Sequence, residues 1–395
     1  MSAKIILKKN EERRIKSGHL WVFSNEIEKR EGEASNGNLV DLFDYKMNFL
    51  GEGFYNKNSL ISVRLLKMND GEDLNSFFRN KLQQAYSLRK QFYPERNSFR
   101  MVFSESDFLP GLIIDKYNNT YVLQVYSAGM EKNISLIVEY LKKDFNAENI
   151  FTKNESYFRN LEGLPEQDEI YFGEIKDEII NDGILNYKIS FSTGHKTGFY
   201  FDQNDNRIFF RKICGDKNVL DAFCNIGGFG LHAAHSGAKS VTFVDSSSSA
   251  INFAIENFKL NKLQCNKEFI IEDVFDYFEK CINEKKYFDI INIDPPAFAK
   301  NRKSLPAAIK GYEKLNRLAL ELINTKSGSG FLSTSSCSHH LNEDEFLRII
   351  NRAAVKSKKR IQLVHLNGAS LDHPRLLSMP ETSYLKYAVF KVYNV

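Results

Sequence analysis

The sequence predicts an α/β protein in three parts, and three observations predict it. Residues 1–70 are a succession of short apolar runs broken by glycine turns, and residues 71–190 mix long helical patterns with hairpin signals. From about residue 191, strand-length apolar runs alternate with helical stretches. That alternation is what a parallel sheet covered by helices on both faces requires, so 191–395 is predicted to be Rossmann-like. A chain of 395 residues also exceeds one ordinary core.

Within 1–70, KIILKK, WVFS, NLVDLFD, FLGEGFY and LISVRLL read as strands of a small β-barrel, with Gly32, Gly37, Gly51 and Gly53 at the turns. His19, Trp21 and Phe23 alternate there, and Trp21 is assigned to the core rather than to a stacking surface. Asp73 reads as the N-cap of a helix carrying Leu74, Phe77, Phe78, Leu82, Ala85 and Leu88 at helical spacing and ending near Pro94. Two β-rich runs flank Asn118-Asn119, a hairpin signal. NISLIVEYLKKDF is an amphipathic helix, and Asp182-Gly183 centres a second hairpin, which completes a mixed α/β middle domain over 71–190. In 191–395 the strands are NVLDAF, SVTFVD, EFIIED, FDIINID and GFLSTSS, the last following the glycine-rich turn Ser327-Gly-Ser-Gly330.

Bulk composition narrows the function classes. A formal charge of +4 and a pI of about 8.5 permit a nucleic-acid partner without requiring one. Cys214, Cys224, Cys265, Cys281 and Cys337 form no CxxC pair, which argues against a zinc site or a disulfide framework and for a reducing compartment. The N-terminus is charged almost at once, and no window approaches eighteen apolar residues. The expectation is a cytoplasmic protein with no membrane span and no metal.

The chemistry concentrates in the last part. Four predicted strands end in Asp221, Asp245, Asp273 and Asp294, at intervals of 24, 28 and 21 residues, one βα unit each. Ligands of open α/β sheets bind beyond the carboxyl ends of the strands, so the four acids converge on one crevice. Gly228-Phe-Gly230-Leu-His-Ala233 matches a dinucleotide fingerprint, but Asp221 before the loop opposes a pyrophosphate. S-adenosylmethionine (SAM), which carries an ammonium and a sulfonium and no phosphate, fits better. Asp221 then faces the methionine amine through the loop, Asp245 the ribose hydroxyls and Asp273 the adenine. Each acid taken singly is as readily a cap of the helix that follows; the ordered set of four is not.

Asp294-Pro295-Pro296-Ala297-Phe298 forms a stiff turn with an acid and an aromatic ring, suited to a flat base, although DPP alone is equally a plain structural turn. Cys337 ends the following strand and opens on the same crevice. A thiolate there can add to C6 of a cytosine and make C5 nucleophilic enough to take a methyl group. A lone cysteine is more commonly an inert buried residue, which suits Cys214, Cys265 and Cys281, with Cys224 lining the glycine loop. His339 and His340 are candidate bases, although paired surface histidines are commonly incidental.

TGFYFDQNDNR (197–207), VLDAFCNIGGFGLHAA, VDSS, DPPAF and SCSHH stand in an order and spacing that resemble the rRNA large subunit methyltransferase I family, SAM-dependent RNA cytosine-C5 methyltransferases. SGHLWVFSNEI and SLISVRLL resemble its N-terminal PUA domain, a small RNA-binding β-barrel; FLPGLIIDKY resembles its central domain; DHPRLLSMPETSYLK also matches. The resemblance covers nearly the whole chain. It implies that Tyr200, Gln203 and Arg207 lie beside SAM, that Asp221, Phe223 and Gly227 form the methionine loop, and that Asp245 and Ser246 hold ribose and adenine. It further implies Asp273 and Val274 at the adenine edge, Cys337 as nucleophile, large-subunit rRNA as substrate, and a possible homodimer. Many RNA cytosine-C5 methyltransferases carry a second cysteine beside the proline of the DPP-like motif for product release; here the position reads Pro296-Ala297, so Cys337 must be expelled by another route.

After DPPAF, residues 301–317 carry Arg302, Lys303, Lys310, Lys314 and Arg317 against Glu313 alone, and Arg302, Lys303 and Lys310 are the candidate RNA contacts. A second basic run, Arg348 to Arg360, reads as a solvated face. Three other readings remain open at this point: a methyltransferase acting on an exocyclic base nitrogen with Cys337 incidental, an RNA-binding factor on a degenerate scaffold, and a NAD-linked oxidoreductase.

Overall fold

The computed structural model describes residues 3–69, 71–192, 198–299, 301–325 and 329–395. Thr197 of the TGFYFDQNDNR segment, and Ser327 and Gly328 of the glycine-rich turn, lie outside the described residues. The chain divides into two compact units, the first comprising 1–183, 189–201 and 371–382 and the second 184–188, 202–370 and 383–395.

The first unit begins with a six-stranded sheet made of β1 (Ala3–Leu7), β2 (Trp21–Phe23), β3 (Ile27–Glu31), β4 (Leu39–Phe43), β5 (Phe49–Tyr55) and β6 (Ile61–Leu66), with α1 (Glu12–Lys16) after β1. Its order is β2-β6-β5-β4-β1-β3. Alternation along the strands turns Ile5, Leu7, Val22, Val40, Leu42, Val63 and Leu65 into one core. β3 escapes sequence reading because IEKRE has a single apolar residue; antiparallel pairing with β1 makes it a strand. Trp21 packs against this core, and its indole N–H donates to Glu105 at 2.9 Å, in keeping with the structural role expected of it.

The rest of the unit is built from α2 (Leu74–Phe92), β7 (Ser98–Phe103), β8 (Leu112–Tyr117), β9 (Thr120–Val125), α3 (Ala128–Lys132), α4 (Ile134–Phe145), β10 (Asn149–Thr152), α5 (Ser156–Glu162) and β11 (Ile170–Phe172). The sheet order is β11-β10-β9-β8-β7. Asp73 caps α2 by accepting the Ser76 N–H at 2.8 Å, a contact worth about 1 kcal/mol. Phe77, Phe78 and Leu82 of α2 and Ile137 and Leu141 of α4 are buried against the sheet. β8 and β9 form the hairpin at Asn118-Asn119, with Asn118 left-handed. Asp372 of the 371–382 segment is tied into this unit by accepting the Arg100 N–H at 3.0 Å. Two further strands, β12 (Glu178–Asn181) and β13 (Asn186–Ile189), flank Asp182-Gly183.

The second unit contains α6 (Asn204–Phe210), β14 (Asn218–Ala222), α7 (Gly228–His235), β15 (Ser240–Asp245), α8 (Ser248–Leu260), β16 (Asn266–Ile271) and α9 (Val274–Glu284). It continues with β17 (Ile290–Ile293), α10 (Leu305–Leu322), β18 (Gly330–Ser336), α11 (Glu343–Lys356), β19 (Lys359–Asn367) and β20 (Lys386–Asn394). The seven-stranded sheet has the order β16-β15-β14-β17-β18-β20-β19. β14 to β18 run parallel, while β20 is antiparallel to both β18 and β19. From β14 the chain steps outward through β15 and β16, then returns to β17 on the other side. The crevice at that switch, beyond the carboxyl ends of β14 and β17, is where such sheets bind ligands. Among the described residues no helix is long and apolar enough to cross a membrane.

Candidate active site

The four predicted acids stand at one edge of this sheet but play different local parts. Asp221, inside β14, is 1% exposed; its Oδ2 accepts the Gly230 N–H at 2.7 Å and its Oδ1 the Asn292 amide at 2.9 Å. It therefore braces the first turn of α7 from beneath the loop. Burial, opposed by those two donors, pushes its carboxyl up to about 7. Asp245 closes β15 and is half-buried, accepting the N–H groups of Asn225 and Ser247, both at 2.9 Å. Ser246 beside it is exposed.

Strand β16 stops at Ile271, two residues short of the predicted end, so Asp273 lies beyond it. Asp273 is exposed and caps α9, accepting the Phe275 N–H at 2.8 Å, so the capping reading holds for this acid. Its lone pairs that point to solvent are still available to a ligand. Val274 is 1% exposed and its side chain belongs to the core; only its backbone is left to face a ligand.

Between β14 and α7 the loop turns through Phe223 at φ +61°, Asn225 at φ +48° and Gly227 at φ +90°. Two of these three left-handed residues carry side chains, so neighbours must hold the conformation, and the bonds from Asp245 and Asp221 do so. Gly228 serves a different need: a Cβ there would lie 2.6 Å from Nε of Arg207. Arg207 and Gln203 come from the segment that includes α6, and both are buried. Arg207 sits over the Phe229 ring and its charge favours the ionised forms of Asp221 and Asp294. Tyr200 is exposed and belongs to the first unit; the site described here is that of the second unit alone.

Asp294 stands one residue past β17. Its Oδ1 accepts the Gln203 amide at 2.9 Å and the Ser335 hydroxyl. Burial pushes its carboxyl up to about 6, against the pull of the Ser335 bond. Since β17 and β18 are parallel neighbours, the end of β18 arrives beside this turn. Cys337 follows β18 immediately and is partly exposed. The flanking serines hold it in place: Ser336 Oγ lies 2.9 Å, and Ser338 Oγ 3.0 Å, from the hydroxyl of Tyr312 on α10. Cys214, Cys224 and Cys281 are buried, and burial raises each of their thiols, as inert structural cysteines require; Cys265, expected to be buried with them, is instead partly exposed, at the turn before β16. His339 and His340 are both exposed.

The basic segment splits in two. Arg302, Lys303 and Lys310 are exposed and, among the described residues, no carboxylate pairs with them. Lys314 pairs with Glu279 and Arg317 with Glu321. In the second run, Arg352 and Lys356 pair with Glu313, which suits a solvated face.

Sequence reasoning missed Tyr312 and Lys386. Tyr312 lies on an ordinary helical face with nothing to mark it. Lys386 opens β20 opposite Ser336, a register that no local pattern reveals, although SYLK was within the segment that carried the resemblance.

The donor set suits a cationic nucleoside: carboxylates at successive strand ends, and a glycine loop braced by carboxylates rather than lined by exposed basic groups. Among the described residues no group of three or more His, Cys, Asp or Glu side chains is disposed to hold a metal ion. Comparison with known proteins agrees with this chemistry. The PUA-like domain family matches residues 5–67, and a family described as conserved hypothetical protein 95 matches residues 201–354. A ribosomal RNA large subunit methyltransferase I from Tolumonas auensis is 35% identical over 399 residues, covering 99% of this chain and all of that protein. The chain belongs to the ribosomal RNA large subunit methyltransferase I family. A Klebsiella pneumoniae member is 35% identical over 97% of this chain and 96% of its own length. As a member of the family, this chain also shares its fold with solved structures. A protein described as a SAM-dependent methyltransferase from Streptococcus mutans matches with a TM-score of 0.82 at 21% identity, covering 98% of this chain and 99% of its own. SMU.776, solved with S-adenosylhomocysteine, matches with a TM-score of 0.84 at 22% identity over the same shares. The fold is thus a PUA-like domain at the N-terminus and a SAM-dependent methyltransferase fold, as the sequence predicts.

Proposed function

We propose that this chain transfers a methyl group from SAM to C5 of a cytosine in large-subunit rRNA, through a covalent adduct with Cys337. The observation that carries the reading is the placement of Cys337: partly exposed, at the end of β18, next to the Asp294 turn, while the thiols of Cys214, Cys224 and Cys281 are buried. SAM, when bound, supplies the electrophilic methyl group. Asp245 and Ser246 hold the ribose, Asp273 and the backbone at Val274 the adenine edge, and the Phe223–Gly227 loop, braced by Asp221, the methionine end. Gln203 and Arg207 fix the acids around it.

The Cys337 thiolate adds to C6 of the cytosine, forming a C–S bond and moving an electron pair to C5, where the methyl group is taken. The C5 proton then leaves to water, the C6–S bond breaks, and its electron pair returns to sulfur. Asp294, ionised beside bound SAM, accepts a hydrogen bond from the exocyclic amine of the cytosine. Arg302, Lys303 and Lys310 take backbone phosphates. In domain terms, residues 1–70 are an RNA-binding PUA-like barrel, 71–190 a central α/β domain and 191–395 the methyltransferase domain.

RNA carrying 5-fluorocytidine tests the covalent step, because fluorine at C5 cannot leave as a proton and the adduct persists. The expected result is a denaturation-resistant protein–RNA species attached at Cys337 and absent from Cys337→Ala. Methylation of a base nitrogen with no adduct would contradict it.

A further inference from the structure

Lys386 is 6% exposed, yet among the described residues no carboxylate lies within ion-pair distance of it. Its Nζ donates to the carbonyl oxygens of Ser338 and Tyr384, both at 2.7 Å. An ammonium has three donors, and these two go to neutral acceptors. Buried cations are normally paired, because an unpaired one loses its hydration without compensation. The Ser338 carbonyl places this cation one residue from Cys337, and the antiparallel pairing of Ser336 with Lys386 fixes the approach. Tyr312 on α10 holds Ser336 and Ser338 through its hydroxyl. A cation and a thiol are thus held together by three separate elements, β18, β20 and α10.

We propose that Lys386 is the charge partner of Cys337: its ammonium holds the nucleophile as a thiolate and, through the Ser338 carbonyl, holds it in position. The inference rests on the reading of Cys337 as the nucleophile and deepens it. Ionisation moves the thiol proton to solvent and leaves the sulfur anion facing Nζ. The same cation stabilises that anion when the C6–S bond breaks, which gives a route for expelling Cys337 in a chain with alanine at position 297. Burial pushes Lys386 down to about 8, and negative charge on Cys337 and Glu343 acts in the other direction, favouring the ammonium. The other groups that act on the pair are Tyr312 from α10, whose hydroxyl burial keeps neutral, and Glu343 at the head of α11; nearby, His339 lies against the Tyr384 ring and Asp294 is engaged by Ser335. Of these, Glu343 opposes the thiolate and supports the ammonium.

The test is the pH profile of iodoacetamide alkylation in the full-length protein, read by mass spectrometry on the Cys337 peptide with Cys265 as internal reference. Wild type should show a midpoint below the ordinary thiol value of about 8.5. Lys386→Met should raise that midpoint by about one unit and slow alkylation at pH 7 by about tenfold, while Cys265 is unchanged. Lys386→Arg, which keeps the charge, should restore most of the rate. SAM binding confirms that each variant is folded, and Lys386→Gln replaces Lys386→Met if the latter fails. An unmoved midpoint in the folded neutral variant would overturn the ion pair, as would an arginine variant that behaves like methionine. A shifted midpoint with C5 methylation surviving Cys337→Ala would instead sink the nucleophile reading and leave the ion pair standing.

Discussion

Asp221 accepts the backbone N–H of Gly230 at 2.7 Å, and this bond holds the start of α7 against the end of β14. The acid is buried, so its charge is costly, and its carboxyl is pushed up to about 7 by that burial. An acid with a raised native pKa binds more protons folded than unfolded, so its stabilising effect is complete below about pH 4 and is lost as pH rises through about 7. Asp221→Asn removes this titration. Its melting temperature relative to wild type should therefore rise between pH 4.5 and 7.5, by an amount reflecting a free-energy change on the order of a few kcal/mol. Thermal unfolding at four pH values across that range measures it; parallel curves would exclude the assignment.

Two acids of the site couple cofactor binding to protons. Asp294 is pushed up to about 6 and Asp221 to about 7, and a cation placed beside them favours their charged forms. SAM should bind a few-fold more tightly at pH 8 than at pH 6, with net proton release at the lower pH. Calorimetry in buffers of different ionisation enthalpy reads that release directly. Asp294→Asn should flatten the dependence.

Gly228 and Arg207 are a packed pair, since a Cβ on the glycine would lie 2.6 Å from Nε of the arginine. Gly228→Ala should cost about 1–3 kcal/mol through overpacking. Arg207→Ala opens the space, so the double variant should be less destabilised than the sum of the singles. Urea unfolding of the four proteins provides the cycle, and simple additivity would show that the two residues do not meet.

Unpaired and paired cations should differ on RNA. Replacing Arg302, Lys303 or Lys310 with glutamine should each weaken RNA binding and lower the salt slope by about one. Lys314→Gln and Arg317→Gln should change neither, because those charges are already met by Glu279 and Glu321. Filter binding across a salt series distinguishes the two groups.

Much of the methyltransferase part was legible because each buried parallel strand is a continuous apolar run that ends near an acid. Strands β14, β15 and β17 could be read that way, and β18 from its place after the glycine-rich turn. The exact placement of Asp273 could not, because whether a strand-end acid caps a helix depends on two or three dihedral angles beyond the strand. β3 was hidden because its partner, not its own pattern, makes it a strand. Lys386 was hidden for a similar reason: its neighbour Cys337 is 49 positions earlier and reaches it only through the β18–β20 register. The 371–382 segment, which departs from the second unit and is anchored by Asp372 among residues of the first, carries no local signal of that path.

In the proposed mechanism Cys337 forms and breaks a bond to cytosine. The most direct measurement of this is incubation of the protein with methyl-labelled SAM and unmodified large-subunit rRNA, followed by digestion to nucleosides, in wild type and in Cys337→Ala. Label should appear in 5-methylcytidine and be lost in the variant. Label in a methylated guanosine or adenosine that survives the substitution would contradict it.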